Sequence, residues 1–343
     1  MAAPQAPSSL AELTTLRLGG VADEVVLAED EGSLIEAVRA ADDAGTPVLV
    51  VGGGSNLVVA DERYAGRVVV VRTRGLRIEA DACGGAMVEV AAGDPWDDVA
   101  AAAVEQGWVG IEALSGIPGS TGATPIQNVG AYGQEVSQTV ARVRTWDRKL
   151  RGIRTWSAAD CLFGYRTSRF KQDPARFLVL SVAFQLPLGD LGAPVAYAEL
   201  AQALGVAPGE RAPLRAVRDA VLDLRRSKGM VLDPDDHDTW STGSFFTNPV
   251  VPPAMVPPGA PSWPQPDGRS KTSAAWLIEH AGFAKGHGNE RVRLSSRHTL
   301  ALTNRGGATT ADLLSLAREI RDGVSERFGI ILVNEPVLVG CSL

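Results

Sequence analysis

Two hydrophobic periods alternate along this chain. Short β-branched runs at 47–51, 57–59, 68–71, 87–91 and 177–186 read as strands, and the pattern within 140–156 reads the same way. Between them, apolar positions recur every three or four residues. In the first such stretch Leu34, Ile35, Val38 and Ala41 share a face, Ser33 and Glu36 have capping-box spacing, and Gly45 supplies the stop. Asp94-Pro95 opens a second helix, with proline at the first helical position and Gly107 at its end. Leu214, Val217, Val221 and Leu224 predict a third over 213–228. Two more are predicted at 273–281 and 310–328, and the chain closes on an extended run over 330–339.

The stretches between these elements carry their own information. Residues 115–133, SGIPGSTGATPIQNVGAYG, form a long run without charge. Glycine lets backbone amides approach a ligand closely, and Gln127 and Asn128 add donors and acceptors for a polar heterocycle or sugar. A second cluster, GGGSN at 52–56, follows the strand at 47–51. It is not a dinucleotide fingerprint. Leu57 stands where the third glycine belongs, and Arg72 and Arg74 stand where a ribose-binding acid would be. A strand follows instead of a helix, so a phosphate here would rest in a nest of loop amides. Neither cluster has the Gly-Lys-Ser/Thr ending of a P-loop. Further on, 233–239 is acidic and turn-like, and 249–266 carries eight prolines and reads as an exposed, irregular excursion.

Composition narrows the classes. The 343 residues exceed what one core organises, and 45% hydrophobic with 21% charged is ordinary for a soluble globular chain. A net charge of −7 without a basic patch argues against nucleic acid and anionic membrane as partners. Cys83, Cys161 and Cys341 lack metal or disulfide spacing, and His237, His280, His287 and His298 offer no ligand set, so no metal is expected. No signal peptide or membrane span is expected either, which makes the cytoplasm the default.

Three polar residues sit where local structure does not require them. Ser244 follows a glycine and precedes two aromatics; a turn serine is the plainer reading. Glu335 interrupts the apolar terminal strand between Val333 and Val337, so it either meets a cation, has a raised pKa, or reaches solvent at an edge. Arg166, after Gly164 and Tyr165, is suited to fork around a carboxylate, or is a surface arginine.

In combination these segments resemble a known family. GGGSN, IPG…PIQNVGAYG, CLFGYRTSRFK at 161–171, GSFFTNP at 243–249, PQPDG at 264–268 with its following helix, and NEPVLVG at 334–340 occur in this order in the UDP-N-acetylenolpyruvoylglucosamine reductases. Two positions depart from the pattern, in the Ser120 to Pro125 stretch and at Ser270. The resemblance covers nearly the whole chain. It implies an α+β fold: a two-subdomain FAD-binding region of the vanillyl-alcohol-oxidase type (PCMH-type) at 1–74 and 75–229, and a separate α+β substrate-binding domain at 230–329, with the strand at 330–343 returning to the FAD-binding region.

The resemblance also implies a non-covalent FAD and NADPH as co-substrate. The implied substrate is UDP-N-acetylenolpyruvoylglucosamine, reduced to UDP-N-acetylmuramate by a monomer. It assigns Arg166 and Glu335 to stabilising the enolate and Ser244 to proton delivery. It assigns Gly52, Gly53, Gly54, Ser55, Asn56, Leu57, Ile117, Pro118, Gly119, Ser120, Thr121, Gly122, Ala123, Ile126, Gln127, Asn128 and Gly130 to the cofactor, and Tyr132, Tyr165, Tyr197, Lys228 and Asn248 to the substrate. The rivals are an FAD-dependent sugar or alcohol oxidase of the same cofactor fold and a catalytically silent nucleotide-binding protein. No histidine precedes His237, so a flavin tethered through histidine in the N-terminal half is impossible.

Overall fold

The computed structural model describes residues 9–81 and 84–343; Cys83 and the first eight residues lie outside the described part. The chain divides into two compact units. The first comprises 23–53 and 65–226, the second 9–22, 54–64 and 227–343.

In the first unit, apolar alternation builds a five-stranded antiparallel sheet. Its order is Gly152–Ser157, Val140–Asp147, Phe177–Leu186, Gly85–Ala91, Leu76–Asp81. Phe177–Leu186 is central and buried everywhere except Gln185, which is what its unbroken apolar run requires. A smaller sheet orders Ala22–Ala28, Tyr64–Val71 and Val48–Val51, the last two parallel with Val48 opposite Arg67. Val69, Val90, Trp96 and Phe184 share one core with Leu34 and Val38.

Two helix starts differ from the pattern reading. The helix Glu31–Asp43 is capped by Asp30, whose carboxylate accepts the Ser33 amide at 2.8 Å while the Ser33 hydroxyl accepts the Asp30 amide. Glu36 instead pairs with Arg39 one turn on, because an acid was already available three residues before Ser33. Pro95 is the N-cap of Trp96–Glu105 and not its first helical residue.

The second unit is built on the helix Thr310–Phe328, which buries Leu313, Ala317, Ile320 and Val324 and is opened by a Thr309/Asp312 capping box. Leu16, Leu18, Val58, Phe245 and Phe246 complete its core, so two N-terminal segments are structural parts of it. The proline-rich stretch is more ordered than expected: Val250–Val251, Ser270–Thr272 and Ser262–Pro264 form a three-stranded sheet, with Pro264 on an edge strand where its missing N–H does no harm. The terminal run is less regular than expected. Only Val337–Val339 is a strand, parallel to Leu57–Val59. Ile331 and Val333 are 66% and 62% exposed, so Glu335 does not lie on a buried apolar face.

Among the described residues no helix is long and apolar enough to cross a membrane, and no group of His, Cys, Asp and Glu could hold a metal ion.

Candidate active site

In the first unit the two glycine segments lie main chain against main chain. A Cβ on Gly53 would come within 2.5 Å of Gly119 Cα, so that position admits no side chain, and one on Gly52 would require the Ser120 hydroxyl to move. The loop is fixed from behind: Trp96 donates to the Gly119 carbonyl at 3.0 Å, Thr121 to Asp94 at 2.8 Å and Gly122 to Ala92 at 2.8 Å. The amides of Gly119 and Ser120 donate to no described group. Residues 121–127 coil into a 3-10 turn and a short helix, Thr124–Gln127, more structure than an uncharged loop suggests. Glycine backbones in close approach with undonated amides fit the diphosphate and heterocycle of a flavin dinucleotide.

Other expected contacts hold this loop in place. Asn128 is left-handed at φ 48° and 1% exposed; its amide donates to Glu135 at 2.9 Å and the Gly164 carbonyl at 3.1 Å, and its oxygen accepts Ser137. Gln127 Oε1 accepts Lys171 Nζ at 2.7 Å, and the Ile126 carbonyl accepts the Ser168 hydroxyl. Ile117 and Ile126 pack against the core.

Arg166 stands in a two-residue turn that Gly164 and Thr167 close with hydrogen bonds of 3.0 and 3.2 Å. Its φ of 52° is a conformation that costs an L-residue about 1–2 kcal/mol. Its guanidinium donates to the Gly130 carbonyl at 2.9 Å and the Asn128 carbonyl at 3.4 Å, and lies 5.5 Å from the Tyr165 ring centroid. The strained turn thus carries the cation to the glycine loop.

Two expected substrate tyrosines meet. Gly130–Ala131 and Gln134–Glu135 form a hairpin whose turn, Tyr132-Gly133, has positive φ at both residues. The Tyr132 ring meets that of Tyr197 edge to face at 5.6 Å. Burial pushes the Tyr132 hydroxyl up to about 12, with Arg225 pulling the other way.

Arg225 escaped the sequence reading. It is 8% exposed on Leu214–Ser227, and burial lowers its pKa to about 10 against the opposing pull of Tyr132 and Asp97. Burial raises the Asp97 pKa, but its paired bonds to Arg218 at 2.7 and 2.9 Å and the Gly116 amide at 2.6 Å outweigh that and leave it lowered. The signal was present: 225 lies four residues after Val221, beside Leu224 on the same stripe.

The second unit gathers the rest of GGGSN with Ser244 and Glu335. Gly54 takes φ 63° against Leu13, and the Asn56 carbonyl accepts the Val337 amide at 2.9 Å. Glu335 donates its amide to the Phe245 carbonyl at 2.8 Å, and Thr247 donates to Val333 at 3.0 Å. Ser244 is therefore main-chain neighbour to Glu335, both half-buried, and its hydroxyl bonds to no described residue. Phe245 and Phe246, 0% and 1% exposed, anchor the segment. Ser55, Leu57 and Lys228 belong to this unit. Asn248 accepts the amide of Ala274 at 2.9 Å, at the start of Ala274–His280.

A cleft of about 250 Å³ opens elsewhere in this unit, beside His287, Asp312 and Glu319. It contains none of these residues, and its charged groups pair with one another or with neighbours: His287 with Glu319, Asp312 with Arg291 and the helix cap.

Residues 22–149 match the model of an FAD binding domain, and residues 233–339 match that of the UDP-N-acetylenolpyruvoylglucosamine reductase C-terminal domain. The UDP-N-acetylenolpyruvoylglucosamine reductase of Cutibacterium acnes is 56% identical over 337 residues, 97% of this chain and 90% of that one. The Streptomyces avermitilis enzyme of the same name is 56% identical, over 97% of this chain and 94% of its own. The crystal structure of UDP-N-acetylenolpyruvylglucosamine reductase from Thermus caldophilus shares the fold, with a TM-score of 0.65 at 24% identity over 96% of this chain and 97% of that one. With both domain models in chain order and relatives alike over nearly its full length, this α+β chain belongs to the UDP-N-acetylenolpyruvoylglucosamine reductase family of oxidoreductases.

Proposed function

We propose that this chain reduces the enolpyruvyl ether of UDP-N-acetylenolpyruvoylglucosamine to the lactyl ether of UDP-N-acetylmuramate, using NADPH and a non-covalent FAD. The observation that carries the reading is the main-chain bond from Glu335 to Phe245. It brings the main chain of Glu335 to the residue that follows Ser244, 91 positions from Ser244 in sequence, beside two buried aromatics, which supports reading the two segments as parts of one site. Gly52, Gly53, residues 54–57 and the 117–130 loop are the residues that would hold the flavin. When bound, FAD supplies a hydride to the terminal methylene carbon of the substrate.

The chain's own residues manage charge and protons. Hydride addition leaves negative charge spread from the adjacent carbon into the carboxylate. Arg166, already presented by a strained turn, meets that charge with a planar fork of donors. A protonated Glu335 donates a hydrogen bond to the same oxygens. Ser244 gives its proton to the carbon; serine is a weak acid, but the acceptor is strongly basic. Tyr132, Tyr165, Tyr197, Lys228 and Asn248 bind the nucleotide. NADPH as donor, a monomeric state and a cytoplasmic setting complete the reading.

Purified protein should be yellow, bleached by NADPH and recoloured by the enolpyruvyl nucleotide. Ser244→Ala should keep the flavin spectrum and lose about 10² to 10⁴-fold in kcat, the range of a positioned general acid. Unchanged turnover would remove Ser244 from the chemistry, and colourless protein would sink the whole reading.

A further inference from the structure

Glu112 is 0% exposed, and what surrounds its carboxylate is a set of N–H donors. Its Oε2 accepts the Gly110 amide at 2.6 Å, and its Oε1 accepts the Ala193 amide at 2.7 Å and Gln134 Nε2 at 2.8 Å. Gln134 Oε1 in turn accepts the Ala113 amide at 2.8 Å. Donor arithmetic makes this arrangement specific for an acid. A carboxamide at 112 would turn its NH₂ either on Gly110 or on Ala193 and Gln134, donor against donor. Rotating Gln134 to adapt would face its own NH₂ to the Ala113 amide. A Cβ on Gly192 would lie 2.8 Å from Oε1, so the main chain reaches the carboxylate only because that position is glycine.

Two of the three donors lead to tyrosines. Ala193 belongs to an arm in which Gly192 donates to Ala212 and Val195 to Glu210, each at 2.8 Å, and which delivers Tyr197 as the N-cap of Ala198–Leu204. Gln134 directly follows the Tyr132-Gly133 turn. We propose that Glu112 is a positioning residue whose one buried carboxylate sets the Tyr132–Tyr197 ring pair. The consequence for nucleotide affinity rests on the reading of these tyrosines as substrate contacts; the placement of the rings does not.

The test uses the full-length flavin-containing chain with ¹³C-labelled tyrosine rings. The chain has four tyrosines, assignable one by one through Phe substitution. Glu112→Gln is expected to shift or broaden the ring signals of Tyr132 and Tyr197 and to leave those of Tyr64 and Tyr165 in place. KM for the enolpyruvyl nucleotide should rise about tenfold, with kcat changed far less, as loss of uniform binding requires. Unmoved Tyr132 and Tyr197 signals in the folded variant overturn the proposal. Moved signals with an unchanged KM support it and overturn the assignment of the tyrosines to substrate. Should Glu112→Gln fail to fold, Gly192→Ala decides: its methyl group displaces the carboxylate and should reproduce the same two ring shifts, and a folded variant with both rings unmoved refutes the idea.

Discussion

Tyr132 combines a left-handed backbone with a half-buried ring, and its hydroxyl makes that partial burial measurable. The unfolded chain releases a tyrosine proton near pH 10; in the fold burial holds this one to about 12. Between those values the unfolded state binds fewer protons than the native one, so stability falls as pH rises through the window. An absorbance titration of the phenolates should show a late-titrating fraction near pH 12 that Tyr132→Phe removes; a curve unaffected by the substitution would refute the assignment. Single residues were only partly legible in the sequence. Arg166, Ser244 and Glu335 stood out because each polar group sat in a context that did not call for it. Arg225 did not, because Asp223, Arg226 and Lys228 around it are charged too, and nothing in the local sequence sets it apart from them. Asn128 and Asn248 read as ligand-facing amides; that each also bonds to the chain's own backbone is something no residue-type preference foretells.

At the level of elements, the meeting of two glycine segments is the feature most exposed to test. Gly53→Ala sets a methyl group against the Gly119 backbone, which cannot swing aside as a side chain does. It should lower the flavin-to-protein ratio at least about tenfold, a loss of roughly 1.4 kcal/mol or more in cofactor binding. Gly152→Ala, whose new methyl group would meet nothing closer than 3.9 Å, should retain full flavin. Equal flavin content in the two would remove the glycine contact from the cofactor argument. Long periodic elements were legible: Phe177–Leu186 and Thr310–Phe328 have the expected bounds because each buries a continuous run or face. The run 330–339 misled, because β-branched residues favour extended backbone without specifying a partner. There the chain splits its hydrogen bonds between 245–247 and 56, and only its last three residues keep a ladder.

For the molecule as a whole, the second unit is assembled from three separated stretches of chain. The matched C-terminal domain model begins at 233, yet the core around it also needs Leu16, Leu18 and Val58, each buried. Losing three such side chains forfeits about 1.5–3 kcal/mol apiece, comparable to a domain's whole stability. A fragment of 227–343 should therefore lack a cooperative thermal transition; cooperative melting would show that the N-terminal segments are dispensable. The mixed architecture was readable from alternating periods, but this interleaving was not, because hydrophobic periodicity tells which face a segment buries and nothing about which distant segment covers it. The interleaving also bears on how such a gene can recombine. A single crossover near codon 227 would give the offspring most of one parent's second unit joined to the other parent's residues 9–22 and 54–64. Hybrids between diverged relatives should then survive only where those two short stretches happen to agree, so this lineage inherits its C-terminal third as a package with parts of its beginning.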